Sequence, residues 1–176
     1  KGVPVQPRIT DALVELVDFP ATVEALTGIT PNHTHFGRSL LPVIAGETDT
    51  HRDAVFCEGG RLHGETQAME LQSTSSLVPE GLYWPRVGLQ ASEGPEHTKA
   101  VMCRTVRFKY VRRLYESDEL YDLEADPGEQ ANLWRDRRDE TADLAAQAVG
   151  FLEECETPER YLELLSPVQI VSIKLG

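Results

Sequence analysis

Cysteine is scarce in this sequence: Cys57, Cys103 and Cys155 are the only three among 176 residues. An odd, widely spaced set argues against a disulfide framework, and with no Cys-x-x-Cys it argues against a zinc ribbon. Sparse unpaired thiols favour a reducing compartment, the cytoplasm ahead of the periplasm. Each cysteine reads as a small buried hydrophobe. Basic residues are also few, 17 against 29 acidic ones, for a formal net charge of −12. So acidic a chain repels phosphate backbones, which sets nucleic acid aside as a partner. No apolar run approaches the roughly 18 to 20 residues that span a bilayer, so no membrane partner is expected. The opening residues KGVPVQPRIT contain no apolar core and do not read as a signal peptide. They lack a methionine and open inside a Pro/Val-rich extended segment, so the expectation is a fragment of a longer polypeptide.

What is present describes an ordinary globular protein: 40% hydrophobic and 7% aromatic residues. In DALVELVDFPATVEALTGI, Asp18 is the expected N-cap, Pro20 suits a first turn and Gly28 a stop. A helix is predicted over roughly 19–27, with Phe19, Val23 and Leu26 as its apolar stripe. Residues 30–53 read as loop with a small apolar knot of Leu40, Leu41, Val43 and Ile44. AVFCEGG reads as a strand ended by glycines. Residues 59–98 show little periodicity, and a loop of that length is usually functional or mobile. Three antiparallel strands follow at roughly 99–105, 108–115 and 119–123, with ESDE as the tight connection between the last two. Asp126-Pro127-Gly128 then turns the chain, glycine accepting a positive φ, into a helix over roughly 135–155. Its apolar face is Leu144, Ala145, Ala148, Phe151, Leu152 and Cys155. Thr157-Pro158 opens another short helix, and VQIVSIKL reads as a final strand.

The chemical candidates are thin. His33 and His35 form a His-Thr-His in a loop with no carboxylate or cysteine at ligand spacing, and two histidines do not close a tetrahedral site. No nucleophile elbow, P-loop or dinucleotide fingerprint occurs. CETPER, from Cys155, is better explained as a helix start than as a reactive centre. No catalytic residue and no metal ligand is therefore assigned. Lys99, Arg104, Arg107, Lys109, Arg112 and Arg113 make a basic cluster on the strands, with Arg107, Lys109 and Arg113 on one face by period-two geometry. Acidic neighbours such as Glu116 and Asp118 can balance it. Finally, Glu58, Arg61, His63, His97 and Lys99 stand beside glycines at strand ends, where binding residues gather. These five are the candidate substrate-binding residues; the competing reading is polar loop filler.

The series VDFPATVEALTGI, GRSLLPVIAGE, RDAVFCEGG and AVMCRTVRFKYVRRLYESDELYDLEADPGEQANL, in that order, resembles the C-terminal part of a sulfatase of the alkaline-phosphatase-like superfamily. The resemblance covers roughly residues 8–155, and KYVRRLYESDELYDLEADPGEQANL carries most of it. It implies an α+β fold: a small antiparallel sheet of about four strands packed against a long C-terminal helix. A short helix and a loop-rich segment from the edge of a missing α/β domain would precede it. The domains implied are 1–50, the end of that α/β domain, and 51–176, the α+β subdomain.

The resemblance also implies what this chain lacks. Sulfatases use a Cys-x-Pro-x-Arg-type motif, converted to formylglycine, and a divalent cation, usually calcium, both held in the larger N-terminal domain. CETPER places its proline one position late and in the wrong half, so Cys155 is not that nucleophile. The chain is expected to contain no cofactor, to be inactive alone, and to partner the missing N-terminal domain and a small-molecule or sugar sulfate. Within the resemblance, His97 is expected to donate to a leaving-group oxygen or orient substrate, Lys99 to offset sulfate charge, and Glu58 and Arg61 to grip hydroxyls. An apolar stripe left without its domain is expected to cause self-association or local mobility. A related phosphonate or phosphate ester hydrolase, and a standalone binding or assembly module, remain open alternatives.

Overall fold

A computed structural model describes residues 2, 4–61, 85, 88–89 and 92–166. The chain divides into two compact units, Lys1–Val55 and Phe56–Gly176.

The first unit is built around helix α1, Asp18–Thr27. Gly28 ends it in the left-handed conformation (φ 71°), where the missing Cβ removes the steric cost. Asp18 is not the N-cap. Val17 holds that position with no side-chain cap bond, and Asp18 is the first helical residue, fully buried. Its carboxylate serves other segments instead. Oδ2 accepts from the Glu15 amide (2.9 Å) and Oδ1 from the Arg38 amide (2.8 Å), while Arg52 engages both oxygens. Burying this polar face turns the helix over. Ala21 and Thr22 face inward, and the expected core stripe of Phe19, Val23 and Leu26 is exposed, Phe19 at 68%. Thr22 joins the network, donating to the Asp18 carbonyl (2.6 Å) and accepting from the Leu40 amide (2.9 Å). Gly37 permits this close passage, since a Cβ there would lie 2.0 Å from the Val17 carbonyl oxygen. Beyond it, the apolar knot forms a one-turn helix, α2, Leu41–Ile44, with Val43 buried.

The second unit carries a four-stranded sheet in the order β1-β2-β3-β4. Strand β1 is Val55–Gly59, starting at the last residue of the first unit. A 3-10 helix, Pro95–Thr98, leads into β2, Ala100–Arg104, followed by β3, Phe108–Arg113, and β4, Glu119–Asp122. β2 and β3 pair antiparallel with Cys103 opposite Tyr110, and β3 and β4 pair antiparallel with Tyr110 opposite Leu120. Helix α3, Arg138–Glu154, packs on β2 and β3, and α4, Glu159–Leu165, follows it. The α+β class is thus observed. The core joins Val101, Cys103, Tyr110, Val111 and Leu120 of the sheet to Leu144, Ala145, Ala148 and Leu152 of α3. Burial pushes the Cys103 thiol up to about 12, with Asp143 adding a smaller push, so it is an inert core group.

The turn after β4 differs in one respect from the expectation. The residue with positive φ is Glu129 (54°), not Gly128. Asp126 Oδ2 accepts from the Gln130 and Ala131 amides, at 2.7 and 2.8 Å, and Glu129 pairs with Lys109 at 2.5 Å. Together these contacts hold a non-glycine residue in a conformation that costs energy. Asn132 then ties the turn back to β4, accepting from the Leu120 amide (3.0 Å) and donating to the Asp118 carbonyl (3.0 Å). The expected strand VQIVSIKL lies outside the described residues.

Candidate functional site

Four of the sheet region's basic residues pair with carboxylates. Arg107 binds Asp122, Lys109 binds Glu129, Arg112 binds Asp118 and Arg113 binds Glu119. These four are therefore charge-balanced, and their pairs brace the hairpin, while Arg104 at the end of β2 is exposed. Tyr110 completes one of them: its buried hydroxyl donates to Asp118 Oδ2 at 2.7 Å. Burial first, then that hydrogen bond, hold the phenol well above its ordinary pKa.

A different arrangement stands at the end of β1. Gly60 has φ 74°, and a Cβ there would lie 2.4 Å from the Thr98 carbonyl oxygen. This glycine lets the end of β1 pass against the end of the 3-10 helix. Lys99 follows, 3% exposed, with its ammonium hydrogen-bonded to Glu58 Oε1. Burying an ammonium is costly unless it is paired, and Glu58 supplies the partner. The Glu58 side chain is 43% exposed. Its second oxygen has no hydrogen-bond partner among the described residues. The Leu114 amide donates to the Lys99 carbonyl (3.4 Å), which brings the β3–β4 connection to the same place. There Tyr115 stacks on His97, ring centroids 4.3 Å apart and planes 20° apart.

Four of the five candidate residues thus have described positions. Glu58 and Lys99 touch, and His97 precedes Lys99 by two residues on the same segment. Arg61 follows Gly60 and is half-buried, while His63 lies outside the described residues. Tyr115 was missed. The strand expected over 108–115 ends on it, whereas β3 ends at Arg113 and leaves an exposed aromatic in a tight connection, itself a usable signal.

Among the described residues, no three His, Cys, Asp or Glu side chains are grouped to hold a metal ion. His35 instead faces Glu24 at 3.4 Å, and His33 lies beside Asn32. Cys155 is the half-buried C-cap of α3. The described residues therefore do not fit a divalent cation or a formylglycine centre, and no reaction step is derived through either. Among them, no helix is long and apolar enough to cross a membrane.

No family model matches the chain, and no curated protein does. Solved structures do. A protein of the glycosaminoglycan-metabolising core genetic locus of Bacteroides thetaiotaomicron is 21% identical with a TM-score of 0.63, over 92% of this chain and 31% of its own. A 2-O GAG sulfatase is 24% identical with a TM-score of 0.55, over 82% of this chain and 26% of its own. The phosphonate monoester hydrolase of Agrobacterium radiobacter is 24% identical with a TM-score of 0.52, over 91% of this chain and 27% of its own. The α+β fold described above is thus a fold found within sulfatases and phosphonate monoester hydrolases. The chain spans between a quarter and a third of the length of those proteins.

Proposed function

We propose that this chain is the C-terminal portion of a sulfatase-type hydrolase, in which the end of β1 and the 3-10 helix form the substrate side of the active centre. The observation that carries this reading is the buried Lys99 holding a half-exposed Glu58 beside the His97–Tyr115 stack. A core lysine paired to a surface carboxylate does little for stability that an apolar pair would not do better. It does fix a carboxylate in one orientation. In this arrangement Glu58 and His97 meet the leaving group, His97 donating to or orienting its oxygen, and Lys99 acts through Glu58. Lys99 can offset sulfate charge directly only if Glu58 turns away. Arg61, next to Gly60, is placed to grip hydroxyls together with Glu58. Nucleophile and cation belong to the rest of the enzyme, so the chain alone turns over no ester.

Residues 1–50 would then close the larger α/β domain, and 51–176 would form the subdomain. The exposed Phe19, Val23 and Leu26 of α1 support such a covering domain. Solved proteins with this fold are three to four times as long, which supplies the material for it.

The test uses the complete polypeptide with p-nitrophenyl sulfate and a phenyl phosphonate monoester. Sulfate ester turnover is expected to dominate, and His97→Ala and Lys99→Met are each expected to lower kcat/KM ten-fold or more, about 1.4 kcal/mol of transition-state binding. Dominant phosphonate turnover would transfer the same site to the other hydrolase class, whose members share the fold. Unchanged kinetics in both variants would remove this edge from the active centre, and no turnover of either ester would leave a binding module.

A further inference from the structure

The leaving-group role proposed for His97 requires its ring to be held in one orientation. Among the described residues, neither ring nitrogen of His97 has a hydrogen-bond or ion-pair partner. A histidine that moves a proton is usually oriented through one nitrogen, which donates to a carboxylate or a carbonyl and leaves only the other for substrate. Here the contact is a ring face instead: Tyr115 lies 4.3 Å away, centroid to centroid, with 20° between the planes. A stack fixes the plane of an imidazole and occupies neither nitrogen.

Tyr115 comes to this place from a different segment. It belongs to the connection between β3 and β4, whereas His97 lies in the 3-10 helix before β2. The Leu114 amide, one residue before Tyr115, donates to the carbonyl of Lys99, two residues after His97 (3.4 Å). Arg113 clamps the connection from its own side, meeting Glu119 at 2.6 Å and Glu116 at 3.7 Å. The His97 amide donates to the Gly94 carbonyl at 3.3 Å, which fixes the backbone beneath the imidazole. Tyr115 itself is 60% exposed, and its hydroxyl has no partner among the described residues. Neither burial nor a hydrogen bond accounts for the position of its ring. The stack does.

We infer that Tyr115 is a positioning residue: its ring holds the plane of the His97 imidazole and keeps both nitrogens available, one for the leaving-group oxygen and one for water. Tyr115 touches no reacting atom and acts only through His97. The inference rests on the role proposed for His97, so the orientation of the ring and the reaction are measured separately.

The experiment uses the complete polypeptide. With carbon-13-labelled histidine, the imidazole C–H signals of His97, identified by their loss in His97→Ala, are expected to be shielded by the Tyr115 ring. Tyr115→Ala should remove that shielding and Tyr115→Phe should keep it. With whichever of the two esters the wild type turns over faster, Tyr115→Ala should lower kcat about five-fold or more and leave KM within about two-fold. Tyr115→Phe should restore kcat, because the ring face is kept. Adding Tyr115→Ala to His97→Ala should cost nothing further, since one residue acts through the other. An unshielded His97 in the wild type, failure of Tyr115→Phe to restore kcat, or an equal loss from Tyr115→Ala with and without His97 would each overturn the inference. If shielding depends on Tyr115 while His97→Ala leaves turnover unchanged, Tyr115 holds the ring as inferred and the leaving-group role of His97 falls.

Discussion

Asp18 lies against Arg52, thirty-four residues away in sequence, with Arg52 Nε 3.0 Å from Oδ2 and the guanidinium engaging both carboxylate oxygens. Arg52 also reaches Glu15 at 3.0 Å, and His51 Nε2 sits 3.1 Å from Asp18 Oδ2. Three segments of the first unit thus converge on one buried carboxylate.

Removing the cation should leave that carboxylate stranded. Arg52→Ala is expected to destabilise the first unit by about 3–5 kcal/mol, the usual cost of an uncompensated buried charge. Burial alone would raise the Asp18 carboxyl, but Arg52 and the Arg38 and Glu15 amides outweigh it and hold the group well below its ordinary 3.8. A lowered folded-state pKa contributes stability above 3.8 and loses it as pH falls below that value. Denaturation midpoints of the wild type and Asp18→Asn should therefore differ most at neutral pH and converge in acid. A gap that stays constant down to about pH 2.5 would show that the ionised carboxylate contributes nothing.

The buried phenol gives the opposite sign at the alkaline end. Tyr110, held above its ordinary 10.0, contributes stability below that value that is lost as pH rises through it. Tyr110 should ionise only together with unfolding, in absorbance at tyrosinate wavelengths. Tyr110→Phe should cost about 1–2 kcal/mol at neutral pH, because Asp118 keeps its bond to Arg112. The variant should also lose stability less steeply in base, and an unchanged alkaline slope would sink the assignment.

Two adjacent glycines provide an internal comparison. Gly60→Ala meets both a positive φ and the Thr98 carbonyl oxygen at 2.4 Å, so it should destabilise the second unit by roughly 2 kcal/mol or more. Gly59→Ala meets nothing within 4 Å and should change the melting point little. Equal effects would mean that β1 and the 3-10 helix do not approach as described.

Local signals made much of the fold legible. Gly28 marked the end of α1, β-rich runs of two-residue period marked β2 to β4, and the spacing of Leu144, Ala148 and Leu152 marked the buried face of α3. What failed was long-range. An aspartate before a helix reads as its cap, and nothing near Asp18 reveals that Arg52 and the Arg38 amide will claim it. The same burial sends Phe19 outward against its hydrophobicity. At the candidate site, glycines beside charged residues pointed to Glu58, His97 and Lys99. Pairing across forty-one residues brought Lys99 to Glu58, and the early end of β3 freed Tyr115 to meet His97.

The sequential strand order has a consequence in time. β2, β3 and β4 neighbour one another in sequence as in space, so each pairing closes only a short loop and loses little chain entropy. The stack of Phe56 on Phe151, centroids 4.4 Å apart, joins residues from opposite ends of the second unit. Low-contact-order pairings form fastest, so the β2–β4 meander is the expected early nucleus. β1 then docks last, and with it Glu58 and Gly60. The edge proposed to read the substrate would be the final part of the sheet to assemble and the first to open.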